Sequence, residues 1–145
     1  MRTARCPEAL DVVVTSTASD SHTWNLVFLQ LAIEEAGHRV RNLGACTPDD
    51  VIIDECLARR PDLLVVSSVN GHGFADGLRL ITAVRRQPGL RGLPVVIGGK
   101  LGIAGTADAH GELLDAGFDE LFTDDADLTR FFGFLGSLVP ETVPR

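Results

Sequence analysis

Short apolar runs rich in β-branched residues alternate with helix-like segments along the chain, and this alternation constrains the fold more than any other feature. Residues 10–15 (LDVVVT), 62–67 (DLLVVS) and 93–97 (LPVVI) are continuous apolar runs, as expected of strands covered on both faces. Residues 38–43 and 118–122 are shorter strand candidates. Between the strands the period becomes helical. Residues 24–36 place Leu26, Leu29, Ile33 and Ala36 on one stripe, with Glu34 and Glu35 off it. Gly37 follows where a helix C-terminal glycine belongs. Thr47-Pro48-Asp49-Asp50 reads as an N-cap threonine with proline at the first helical position, opening a helix that runs to Ala58. Residues 74–86, 106–116 (closed by Gly117) and 127–138 supply three more helices.

Strands alternating with helices in this way predict one α/β domain with a flavodoxin-like (Rossmann-like), doubly wound, five-stranded parallel sheet. The domain is expected over residues 10–138, with tails at 1–9 and 139–145. Ligands of such sheets bind beyond the carboxyl ends of the strands. The loops that matter therefore follow strands one, three and four, at residues 16–25, 68–73 and 98–105.

Bulk properties narrow the function. The length of 145 residues suits one domain. A net charge of −7 gives no electrostatic footprint for nucleic acid or anionic lipid. No apolar run is long enough to span a bilayer. Residues 1–10 (MRTARCPEAL) lack the apolar stretch of a secretory signal. The cysteines Cys6, Cys46 and Cys56 are odd in number and none forms C-x-x-C. That pattern argues against a disulfide framework or zinc site and predicts a cytoplasmic protein. Cys46 and Cys56 read as packed small apolar side chains.

The first loop contains Ser19-Asp20-Ser21-His22-Thr23. In an extended segment residues i and i+2 project to the same side, so Asp20 can reach the His22 imidazole. A carboxylate on one ring nitrogen sets the tautomer and leaves the other nitrogen as a metal ligand. The alternative is that Asp20 caps the next helix and His22 is a surface residue, which is favoured for a pair this short and common. In the third-strand loop, Ser67 and Ser68 offer hydroxyls beside Val69, and Gly71 and Gly73 permit close backbone approach or φ > 0. Loop-backbone satisfaction is the ordinary role for such serines. His72 reads as exposed. Gly98, Gly99, Gly102 and Gly105 exceed what a turn needs and suggest an apolar ligand surface lying against backbone, with Lys100 solvated. Trp24 reads as a packing residue at a helix entry.

Other sites fit less well. There is no G-x-x-x-x-G-K-[ST] phosphate loop. A phosphate-receiver domain needs an aspartate ending strand three, where this chain has Ser67 and Ser68. A flavin site of the flavodoxin type needs a glycine in the first loop and aromatic rings. Residues 15–23 contain no glycine, and the chain has no tyrosine.

In order, the three loops resemble the cobalamin-binding domain family, and within it the small subunits of glutamate mutases. The family pattern D-x-H-x-x-G is matched by Asp20-Ser21-His22-Thr23-Trp24-Asn25, with asparagine for the glycine. S-x-L is matched by Ser67-Ser68-Val69, and G-G by Gly98-Gly99. Residues 36–44 (AGHRVRNLG) and 65–73 (VVSSVNGHG) extend the likeness. The resemblance implies that His22 replaces the cofactor's benzimidazole as the lower cobalt ligand, with Asp20 bonded to it. It also implies a benzimidazole tail lying along the sheet against Ser67 and Gly98-Gly99. The cofactor would be adenosylcobalamin and the activity a radical carbon-skeleton isomerisation of glutamate to 3-methylaspartate. The partner would be a large barrel-type subunit that carries the substrate, so the chain alone would be inactive. Asp124-Asp125-Ala126 stands where the family has Gly-Thr. Two alternatives remain. One is a corrinoid carrier for methyl transfer, disfavoured because a first strand near Leu10 leaves no room for a preceding helical cap. The other is a flavodoxin-like module without cobalamin.

Overall fold

The computed structural model describes residues 9–100, 107–123 and 127–139. Its strands are β1 (Asp11–Ser16), β2 (Arg39–Asn42), β3 (Leu63–Ser68), β4 (Val95–Gly99) and β5 (Glu120–Phe122). Its helices are α1 (Thr23–Glu35), α2 (Asp49–Arg59), α3 (Gly73–Arg86), α4 (Ala107–Ala116) and α5 (Asp127–Ser137), with a 3-10 turn at Pro88–Leu90. All neighbouring strands are parallel and the order is β2-β1-β3-β4-β5. This is the expected flavodoxin-like α/β fold.

Alternation along the strands divides the core in two. Val12, Val14, Leu63, Val65 and Val96 face α1 and α5, where they meet Leu26, Ile33, Phe131 and Leu135. Val13, Leu64, Val66, Val95 and Ile97 face the other side, against Ile52 and Cys56 of α2, Leu80 and Ile81 of α3, and Leu113 of α4. Both faces of the central strands are thus sealed, which explains why β3 is buried at every position.

Several local expectations change. Thr47 does not cap α2. Its hydroxyl donates to the Gly44 carbonyl at 2.7 Å, and extended Pro48 (ψ 150°) occupies the cap position. β5 begins at Glu120 because the preceding residues have other work. Phe118 packs into the core, and the Asp119 carboxylate accepts the Val95 N–H at 2.8 Å. Ala36 is exposed, and α1 is closed by Gly37 at φ +100°. Trp24 does not pack at the helix entry: it is 82% exposed. No described helix is long and apolar enough to cross a membrane.

The two described cysteines differ. Cys56 is fully buried on α2, and burial, with the nearby Glu55 charge, pushes its thiol up to about 12. Cys46 is exposed rather than packed, because it sits in the turn after β2 at φ +52°. Cys6 lies outside the described residues. Thiolate is the reactive form. Brief treatment with iodoacetamide near pH 8 should therefore label Cys46 and spare Cys56 until the protein is unfolded, which peptide mapping would read directly.

Candidate functional site

The strand order reverses between β1 and β3, so the loops leaving their carboxyl ends meet. Ser16 pairs with Ser67 at the ends of the two strands. Above that pair lies Asp20, whose side chain is 1% exposed. One carboxylate oxygen, Oδ1, accepts from both the backbone N–H and the ring Nδ1 of His22, each at 2.8 Å. The other, Oδ2, accepts the N–H of Val69 at 2.6 Å and of Asn70 at 3.3 Å. Burial by itself would raise the carboxyl's pKa, but the His22 and Val69 N–H groups and the His22 ring together hold it below its ordinary value of 3.8.

An ionised carboxylate can only accept a hydrogen bond. Nδ1 of a neutral His22 therefore carries the proton, and Nε2 is left with its lone pair. The His22 side chain is 55% exposed, so this nitrogen is open to a ligand. The expected alternative for Asp20, capping α1, does not hold. The N-cap of α1 is His22, and that end has no side-chain cap.

A groove of about 340 Å³ runs between α1, α5 and the ends of β3, β4 and β5; Asn25, three residues after His22, and Val69, whose N–H is bonded to Asp20, both line it. Phe28, Leu29, Val69, Phe122, Leu128 and Phe131 form most of its walls, with Asn25 at the α1 side and Ser67 and Gly98-Gly99 at the strand ends. Its apolar character with a few polar groups is that of a small-molecule site. Asn25 stands in this wall where the family pattern has glycine.

The three predicted loops are brought together unevenly. Ser67, Val69, Gly98 and Gly99 line the groove, whereas Ser68 alternates to the opposite face, is fully buried, and donates to Asn70 Oδ1 at 3.4 Å. Ser21, Thr23 and Lys100 are exposed. Gly71 uses its freedom, at φ +89°, whereas Gly73 is the buried first residue of α3 with no unusual backbone. His72 is exposed, as expected. The Gly98-Gly99 pair serves the sheet as well as the groove. A Cβ on Gly98 would lie 2.8 Å from the Phe122 carbonyl oxygen, and one on Gly99 would overlap that of Ser68. Gly102, Gly105 and residues 124–126 lie outside the described residues.

Sequence reasoning missed two members of this site. Asn70 donates through Nδ2 to the Ser19 carbonyl at 2.9 Å and its hydroxyl at 3.1 Å. Asp76 on α3 accepts the Ser19 hydroxyl and Arg79 at 3.2 Å. The signal for Asp76 was present: it shares the buried stripe of α3 with Gly73, Gly77 and Leu80, where an aspartate needs a partner.

The donor set tests which metal could be held. Among the described residues no group of three or more His, Cys, Asp and Glu side chains could hold an ion. A single open imidazole nitrogen suits a metal that brings its other ligands with it, as in a macrocycle. The adjoining apolar groove can take an appended organic group. Fold and site together define a class: a flavodoxin-like α/β domain with an exposed imidazole bonded to a buried carboxylate at the switch point and an apolar groove over the strand ends.

The family described as the B12 binding domain matches residues 10–121, and the chain belongs to that family. The glutamate mutase sigma subunit of Treponema denticola is 29% identical over 117 residues, covering 78% of this chain and 82% of that protein. That of Escherichia coli O157:H7 is 30% identical over 119 residues, covering 81% and 79%. Among solved structures, a cobalamin-binding protein from Desulfitobacterium hafniense superposes with a TM-score of 0.66 at 20% identity. The match covers 88% of this chain and 60% of that one. A putative response regulator from Chloroflexus aurantiacus has the same TM-score at 18% identity, covering 89% and 98%. These two likenesses are of fold.

Burial would raise the pKa of Asp76, but the bonds from Ser19 and Arg79 hold it below the ordinary 3.8. A carboxyl whose folded pKa is depressed stabilises the fold fully above its unfolded value, and that stabilisation is lost as pH falls through the folded value. Below about pH 4 the melting temperature of Asp76→Asn should therefore fall less steeply than that of the wild type, in a descending pH series without cofactor.

Proposed function

We propose that this chain is the cobalamin-holding small subunit of an adenosylcobalamin-dependent carbon-skeleton mutase, acting on glutamate and 3-methylaspartate. The observation that carries the reading is the His22 ring. Its Nδ1 is bonded to a buried carboxylate at 2.8 Å, its side chain is 55% exposed, and Asn25, three residues on, lines an apolar groove. Membership of the B12 binding domain family supports the cofactor class, and the named relatives support the mutase.

On this reading His22 Nε2 would hold the cofactor's cobalt, and Asp20 fixes the ring's tautomer and direction. Ser67, Val69 and Gly98-Gly99, with Phe28 and Phe122 in the same groove, would hold the cofactor's benzimidazole tail and keep it from water. Ser19, Ser21, Thr23, Gly71 and Lys100 are the exposed residues of these loops that would face the cofactor, and buried Ser68 and Gly73 would support them. Adenosylcobalamin bound here would supply radical chemistry. The chain's own contribution is binding and orientation, and the groups that recognise the amino acid belong to a large barrel-type partner. Asn25 gives the groove a polar amide where the family pattern has none.

Co(II) cobalamin bound to the wild type should show superhyperfine splitting from a histidine nitrogen in electron paramagnetic resonance. His22→Ala should lose that splitting and bind cobalamin about 10-fold or more weakly. Benzimidazole nitrogen still on cobalt in the wild type would refute the ligand assignment. The assembly is checked by turnover: the purified chain with adenosylcobalamin should not isomerise glutamate until a barrel subunit is added, and turnover by the chain alone would contradict the division of labour.

A further inference from the structure

The loop between β1 and α1 carries His22 but is stabilised from elsewhere. The Asp20 carbonyl accepts the Ser16 hydroxyl at 3.1 Å and the Cys46 N–H at 2.8 Å. These contacts hold the base of the loop. Its outer part, at Ser19, is held differently. Asn70 grips the Ser19 carbonyl and hydroxyl from the β3–α3 loop, and the same hydroxyl donates to Asp76. Asp76 is itself fixed. It is 8% exposed and pairs with Arg79 at 3.2 Å, and Arg79 is anchored by Asp49 of α2 at 2.8 Å. A chain of polar contacts therefore runs from α2, through α3, to a residue three positions before the imidazole.

Ser19 itself is exposed, and the segment is rich in Ser and Thr, without apolar anchors of its own. Such a loop has many accessible conformations, and ordering it opposes ligand binding. Contacts made before the ligand arrives remove that opposition. Asp20 cannot do this alone. Its bonds to Val69 and Asn70 place the carboxylate, and its N–H closes a turn on the Thr17 carbonyl at 3.1 Å, while the exposed apex of that turn is tied to the β3–α3 side through Ser19.

We propose that Asp76, through Ser19 and with Asn70, is a positioning residue for the axial imidazole. It latches the β1–α1 loop to α3, so that His22 is already bonded to Asp20 before a cofactor binds. The proposal rests on the cobalamin reading for its functional consequence, but the latch is a property of the protein without cofactor.

Ser19→Ala, Asp76→Ala and the double variant test it. Ser19→Ala changes an exposed residue and keeps the test open if Asp76→Ala folds poorly. In the cofactor-free protein, amide exchange at residues 19–22 should rise in both single variants. The ¹⁵N spectrum of His22 should lose part of its Nδ1–H population, while the melting temperature of Ser19→Ala stays near that of the wild type. Affinity for adenosylcobalamin should fall about 10-fold in each, the size usual for groups that orient a metal ligand. The loss in the double variant should fall short of the sum of the two singles, because both remove the Ser19–Asp76 bond. Unchanged exchange and an unchanged His22 spectrum in Ser19→Ala would overturn the proposal. So would wild-type affinity alongside a loosened loop. A wild type that binds no cobalamin, with a loop still loosened by both substitutions, would instead sink the cobalamin reading and leave the latch as structure.

Discussion

The site depends on one buried carboxylate serving two loops. Asp20 takes two hydrogen bonds from His22 on one oxygen and two backbone N–H groups of the β3–α3 loop on the other. Bonds to a charged acceptor each contribute about 1.5–3 kcal/mol, and an ion left unpaired in this position would be strongly destabilising. The His22 ring and the β3–α3 loop are thereby coupled, because neither can move far without stripping partners from the same carboxylate. The direction of the imidazole follows from where β3 ends.

That arrangement is available because β1 and β3 are neighbours while β2 lies outside them. Apolar strands buried on both faces set the two central strands side by side, and the reversal of strand order opens a space above them. The polar residues of that space are confined to the loops. The groove, by contrast, is built from helix faces: α1 and α5 contribute Phe28, Leu29, Leu128 and Phe131 to a wall continuous with the core on that side of the sheet. A polar imidazole–carboxylate pair and an apolar slot therefore lie at the same end of the sheet.

The same fold is shared with a putative response regulator. What a chain of this fold can do is set by a few side chains at the strand ends. Strand β3 ends in Ser67 and Ser68, with no carboxylate to accept a phosphoryl group, and β1 is followed by a carboxylate already committed to an imidazole. The fold positions such residues without choosing them.

The strands, the helices and their order were legible in the sequence, because hydrophobic periodicity is local and covering a sheet on both faces leaves few ways to vary it. Asp20 and His22 were also legible as a pair, since two residues in an extended loop project to one side. The sequence could not decide what Asp20 does with its second oxygen, because Val69 and Asn70 lie 49 and 50 residues away and meet it only when β1 and β3 pair. Nor could it decide between the uses of Thr47, whose hydroxyl prefers the Gly44 carbonyl once the turn after β2 is formed, or the surroundings of Trp24, which the packing of α1 leaves outside the core. Ser68 was read beside Ser67, but strand alternation turns it to the other face. Sequence by itself determined the α/β class and, in His22, an imidazole donor within reach of Asp20. The tertiary structure decided which buried polar groups hold that donor in place, because those partners are distant in sequence and become neighbours only across the sheet's switch point.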